Sequence, residues 1–179
     1  MINKKIVLLL LPLFWLGACA VTPLQGVTPV TGFTLNRYLG KWYEIARLDH
    51  SFERGLSNVS ATYSVRDDGG VKVLNRGYSD QKGTWQEAEG RAYFIGEPTV
   101  GSLKVAFFGP FYGGYHIVAL DRVDYSYALI SGPSRDYLWL LARSRQLAPP
   151  VRDALLQQAK ALGFATEQLI WVRQDRDDA

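Results

Sequence analysis

One cysteine, two histidines and no apolar run of twenty residues leave this 179-residue chain short of the parts that many enzymes and membrane-spanning proteins need. Cys19 stands alone, so no disulfide can form within the chain. His50 and His116 are the only histidines, and neither sits in an H-E-x-x-H or cysteine-histidine pattern that would hold zinc. No G-x-S-x-G elbow occurs for a hydrolase nucleophile. The glycines near 109–114 lack the strand-then-helix setting of a phosphate cradle. His116 lies mid-strand beside Tyr115 and reads as a residue that packs or faces solvent, not a haem ligand. A formal charge of +3 is too small to give the concentrated basic face that nucleic acid requires. No cofactor, metal or nucleic acid is expected.

What is present begins at the N-terminus. Lys4 and Lys5 precede an apolar run from Ile6 to Leu16, eleven residues. Crossing a bilayer takes about 20. A basic start, a short oily middle and small residues at its end make a secretory signal, residues 1–18. Leu16-Gly17-Ala18-Cys19 resembles a bacterial lipobox. The resemblance implies cleavage before Cys19, a diacylglycerol on its sulfur and acylation of the new N-terminus. Ala20, in place of an aspartate, implies the outer membrane. Several acyl chains, at about 0.8 kcal/mol per buried methylene, make such an anchor permanent. The cut chain keeps 161 residues, and its charge falls to +1 with the loss of Lys4 and Lys5. Residues 19–32, with Pro23, Gly26, Pro29 and Gly32, read as an extended tether.

From Lys41 onward, short runs rich in Tyr, Val, Ile and Phe alternate with Gly, Asp and Asn. They predict eight strands, near 41–48, 57–66, 70–78, 84–95, 102–108, 114–120, 126–132 and 137–143. "RDDGG" is a hairpin turn and "FFGPFYGG" a glycine-rich loop. Pro149 and Pro150 open one amphipathic helix with a Val151, Leu155, Ala159, Leu162 stripe, and Gly163 closes it. A last short strand, "QLIWV", follows, and residues 174–179 read as a loose charged tail. A long meander leaves two open edges, which closure into an all-β, eight-stranded antiparallel up-and-down barrel removes. A flat sandwich is the alternative on pattern alone.

Gly40-Lys41-Trp42-Tyr43 at the first strand, with Arg143 ending the eighth, resembles the lipocalin family. With "ATYSVRDDGGVKVLNRGY" and "FFGPFYGGYHIVALD", the likeness extends over residues 33–173, and its branch is the outer-membrane bacterial lipocalins, which are similar to apolipoprotein D. "RVDYSYA" departs from the family pattern by a longer turn after Asp121. The resemblance implies a barrel with the helix packed outside. Trp42 would close the base and Arg143 would lie over its indole. It implies ligand contacts at Tyr63, Asn75 and Trp139, with Gly77 enlarging the cavity.

Strand alternation gives an independent set. With Trp42 inside, Glu44 and Ala46 point in, and Tyr43, Ile45 and Arg47 point out. Placing charged residues outside turns Asn75, Gly77, Ala92, Phe94, Leu103, Val105 and Phe107 inward. Such a lining suits an acyl chain with a polar head near the mouth, where Arg54 and Tyr112 are candidate contacts. The resemblance implies fatty acids or lysophospholipids as ligands, attachment to the membrane through Cys19 on the periplasmic side, and pairing of two barrels into a homodimer. Two alternatives stand beside this carrier: a lipid- or isoprenoid-modifying enzyme using the same cup, with an inward Glu44, and a barrel filled by its own side chains.

Overall fold

The computed structural model describes residues 21–177. The signal, Cys19 and the last two residues lie outside them. A helical turn, α1 (Leu35–Tyr38), leads into eight strands in chain order: β1 (Gly40–Arg47), β2 (Leu56–Val65), β3 (Val71–Ser79), β4 (Thr84–Phe94), β5 (Ser102–Ala106), β6 (Gly113–Leu120), β7 (Tyr127–Ser131) and β8 (Leu138–Ala142). Helix α2 (Pro149–Ala161) and a two-residue strand, β9 (Ile170–Trp171), complete the chain. Each strand pairs antiparallel with the next, and β1 pairs with both β8 and β2. The sheet is therefore a closed barrel, as the edge argument requires. The turns after β2, β4 and β6 and the entry to β1 form one end, the base; the turns after β1, β3, β5 and β7 form the other, the mouth.

Closure is not uniform. β1 and β2 pair only from Gly40↔Tyr63 to Tyr43↔Ser60. Toward the mouth both strands bulge, β1 between Glu44 and Ala46 and β2 between Ser57 and Ser60, and they part. Asn58 takes φ +54°, a conformation asparagine tolerates better than most residues. The chain's own C-terminus fills the wedge. β9 pairs with Ala46 and Arg47. The side-chain amide of Gln174 donates to the carbonyls of Glu44 and Val59, both at 2.8 Å. The Asn58 amide donates to the Arg173 carbonyl at 2.7 Å. Residues 172–176 are thus part of the wall, including 174–176, where composition predicts the start of a loose tail.

Two apolar layers hold the barrel. One is inside and includes Trp42, Tyr63, Val71, Val73, Leu103, Ile117 and Leu141. The other lies between wall and α2, where Leu155 and Ala159 cover Val118, Leu129, Leu140 and Ala142. Val151 and Leu162 flank that contact, so the predicted stripe is the buried face. Residues 24–32 lie along the outside of the wall, and Phe33 turns in at the base. Val27 is buried in the outer layer. The Val30 amide donates to the Ile117 carbonyl at 2.8 Å, and that of Phe33 to the Thr99 carbonyl at 2.8 Å. His116, on the outer face of β6, is fully buried beneath this segment, with Nδ1 2.9 Å from Ser102 Oγ.

Candidate functional site

The base is built from the motif residues. Trp42 is fully buried, and its indole N–H donates to the Tyr38 carbonyl at 2.8 Å. The Arg143 guanidinium stacks 4.0 Å from the indole centroid and donates to the carbonyls of Arg37, Leu39, Lys41 and Tyr125. One cation thus ties three base segments over one aromatic. Gly40 has φ +90°, and a Cβ there would stand 3.4 Å from the same guanidinium. The longer turn after Asp121 folds on that carboxylate, which accepts from Val123 N and from Ser126. It carries Tyr125 into the base, where its hydroxyl accepts from Thr34 N and Arg37 stacks on its ring.

Above this floor the interior is open, a cavity of about 530 Å³ that reaches the mouth. The barrel is not filled. Tyr63, Asn75, Gly77, Val105, Phe107, Trp139 and Glu44 all line it. Phe94 does not: its ring packs edge-on against Phe33, 6.0 Å away, at the closed end. Gly77 borders the cavity without enlarging it. A Cβ there would meet Leu56 and Val59 at 3.1–3.2 Å, so the glycine admits side chains of β2 instead.

The phase of β1 reverses at its bulge. Ala46 turns out, into the layer under α2, and Arg47 turns in. Alternation from Trp42 gave the opposite for both, because a bulge adds one residue and moves every later side chain to the other face. Arg47 is buried and donates to Glu44 Oε1 at 2.6 Å and to the carbonyls of Glu53 and Leu56. Glu53 Oε2 accepts from the Trp139 indole at 3.1 Å and lies 2.9 Å from His50 Nε2. His50 stacks on Tyr137 and meets Phe52 in a tilted contact, and those two rings also face each other. Burial, then the neighbouring Glu53 carboxylate, push the Glu44 pKa well above the usual carboxylate range against the pull of Arg47. Burial also pushes Glu53 up, but the hydrogen bond and charge of His50 and the Trp139 N–H outweigh it, and the net shift is down.

A second polar group sits deeper. The Tyr115 hydroxyl lies 2.7 Å from both the Tyr38 and the Tyr63 hydroxyl. Burial raises the pKa of all three, so they remain protonated and can donate. Only Tyr63 of the three was legible in the sequence, because the trio joins residues 77 and 52 positions apart. Arg54 and Tyr112 stand outside the cavity. Arg54 pairs in solvent with Asp49 at 2.7 Å, and the Tyr112 hydroxyl accepts from Arg91 at 3.0 Å. Among the described residues no cluster of His, Cys, Asp and Glu could hold a metal ion.

The geometry is a greasy cup with a tyrosine trio near its floor and a compensated charge network in its wall. It can take a long apolar body and offer a few directed hydrogen bonds. Residues 33–174 match the model of the lipocalin-like domain. The chain is 57% identical to the outer membrane lipoprotein Blc of Vibrio cholerae over 89% of this chain and 92% of that one. It is 55% identical to Blc of Escherichia coli K12, covering 90% and 91%. Apolipoprotein D of Macaca fascicularis is 35% identical, covering 79% and 75%. Among solved structures, insecticyanin from the tobacco hornworm superposes with a TM-score of 0.67 at 24% identity over 85% of each chain, a likeness of fold.

Proposed function

The chain belongs to the lipocalin-like family, and from that membership we propose that it is a lipid-anchored carrier that binds fatty acids or lysophospholipids reversibly in its cup. The observation that carries this reading is the open apolar cavity of about 530 Å³, a size within the usual range for small-molecule sites. Burial of the acyl chain drives binding. The tyrosine trio and the Trp139–Glu53 pair supply orientation. Cys19 carries the anchor, and relatives named outer membrane lipoproteins support the outer membrane, periplasmic face, as its place.

Mass spectrometry of lipids that co-purify with the mature protein tests the reading directly. Titration with a fluorescent fatty acid should quench tryptophan emission, and lysophospholipid should compete. Trp139→Ala should weaken binding by about tenfold, some 1.4 kcal/mol. Full lipid occupancy in that variant, or no co-purifying lipid with no quenching, counts against the cup as the site. Pairing of two barrels, which the family resemblance admits, is read by sedimentation of the mature protein.

Chemistry on the bound lipid is a second reading, and the Glu44–Glu53–His50 cluster is what favours it. Against it, Glu44 is committed to Arg47, and Glu53 to Trp139 and His50, so neither is a free base aimed at the cavity. Turnover of a lysophospholipid that disappears in Glu44→Gln would restore this reading.

A further inference from the structure

The surface of the barrel is uneven in one respect. Among the described residues the three exposed phenylalanines, Phe52, Phe108 and Phe111, are all at the mouth, at 49%, 73% and 80% exposure. Phe108 and Phe111 sit on the loop between β5 and β6, within residues 105–115, a stretch with no charged side chain. The base turns are different. Arg66-Asp67-Asp68, Glu97 and Asp121-Arg122-Asp124 put charge on each. The other mouth turns carry charge as well, Asp49 and Arg54, Asp80 and Lys82, and Arg135 and Asp136, so the β5–β6 loop is the uncharged one. Solvent-exposed aromatics around such a loop mark an interaction surface.

The N-terminal segment ends beside that edge. From Phe33 at the base it runs up the wall, past Val30 at Ile117, to Val21, whose carbonyl would stand 3.3 Å from a Cβ at Gly114, the second residue of β6. The segment is held in place. Val27 is buried, and Arg135 donates to the Gln25 carbonyl at 2.9 Å. Cys19 precedes Val21 by two residues, a reach of about 7 Å at most. The eight residues of β6 rise about 26 Å from mouth to base, so an anchor at Cys19 cannot bring the base to the membrane while the segment stays docked.

We propose that the open end of the cup is the membrane-docking face: the rim phenylalanines enter the boundary of a phospholipid bilayer, the Cys19 lipid holds them there, and ligand passes between bilayer and cup without crossing water. The proposal rests on the lipid-anchored reading above. The rim carries what such a surface needs, apolar tips with polar flanks such as the Asp49–Arg54 pair at headgroup level.

The test uses the full lipidated chain in vesicles of phosphatidylethanolamine and phosphatidylglycerol whose acyl chains carry bromine. Two variants each add one tryptophan at an exposed site, Phe111→Trp at the rim and Val123→Trp at the base, 77% exposed. The added emission of Phe111→Trp should fall by about twofold or more, because an interfacial side chain sits some 5–10 Å into the bilayer, and that of Val123→Trp should not change. Equal quenching of the two, or quenching of Val123→Trp alone, overturns the orientation and leaves the anchor intact. Vesicle-bound protein with neither tryptophan quenched also overturns it, and assigns the phenylalanines to a protein partner. A chain that lacks acyl mass on Cys19 and does not float with the vesicles takes down the anchored reading as well.

Discussion

Replacing Arg47 by methionine isolates the energetics of the charged wall inside a greasy cup. The Arg47 side chain is 2% exposed and that of Glu44 3%, and they meet at 2.6 Å. Arg47 also satisfies the carbonyls of Glu53 and Leu56. Methionine fills much of the same volume, so the cost is chiefly electrostatic. Breaking one side of a buried pair costs about 3–5 kcal/mol, because the other charge is left in a low-dielectric site. The carboxyl escapes part of that cost by taking up a proton. Its pKa is already raised in the fold, and the variant raises it further. A group that binds its proton more tightly folded than unfolded loses stabilising effect as pH rises from its unfolded value toward its folded one, by up to about 1.4 kcal/mol per pH unit. The penalty of Arg47→Met should therefore be near the top of the range at pH 8 and smaller at pH 5. Glu53 has the opposite sign. Its depressed pKa gives stability that is lost as pH falls through the folded value, beneath the ordinary glutamate range and outside this window. Urea unfolding of the mature protein, followed by tryptophan emission at both pH values, gives the numbers. The double variant Glu44→Gln with Arg47→Met should recover about 1–3 kcal/mol and lose the pH dependence. A single-variant cost under about 1 kcal/mol at pH 8, or one equal at both pH values, refutes the reasoning.

Trp42→Ala should cost about 3–5 kcal/mol and lower the melting temperature by roughly 2–4 °C for each kcal/mol, read by calorimetry. Gln174→Ala leaves the Glu44 and Val59 carbonyls without their shared donor and should cost about 1–3 kcal/mol, with faster amide exchange confined to the mouth half of β1 and β2. Gly77→Ala should cost about 1–3 kcal/mol through contact with Leu56 and Val59, with ligand stoichiometry unchanged; unaltered stability with a lost ligand would return the glycine to the cavity.

The barrel was legible because its signals are local. Alternation placed strands β3 and β5 in the right phase, and Gly40, Trp42 and Arg143 announced the base from residues far apart in the chain but fixed in the family pattern. The site was legible only where alternation runs unbroken. At β1 the bulge after Glu44 has no mark in the sequence, so alternation counted from Trp42 sends Arg47 to the wrong face and Ala46 with it. The same rule cannot see that Arg47 and Glu44 neutralise each other within one bulged strand. The tyrosine trio is a product of closure, since β6 reaches Tyr63 of β2 only across the finished cylinder. Composition marks 19–32 as tether and 174–179 as tail; the described parts of both lie against the wall, whose seam and outer face offer them unpaired carbonyls and apolar ground.

A vessel whose upper seam is stitched by residues 172–176 cannot hold that side shut without them. Gln174 and Arg173 are the stitches. A chain clipped just before them would keep its floor and its outer helix yet stand with its side unlaced.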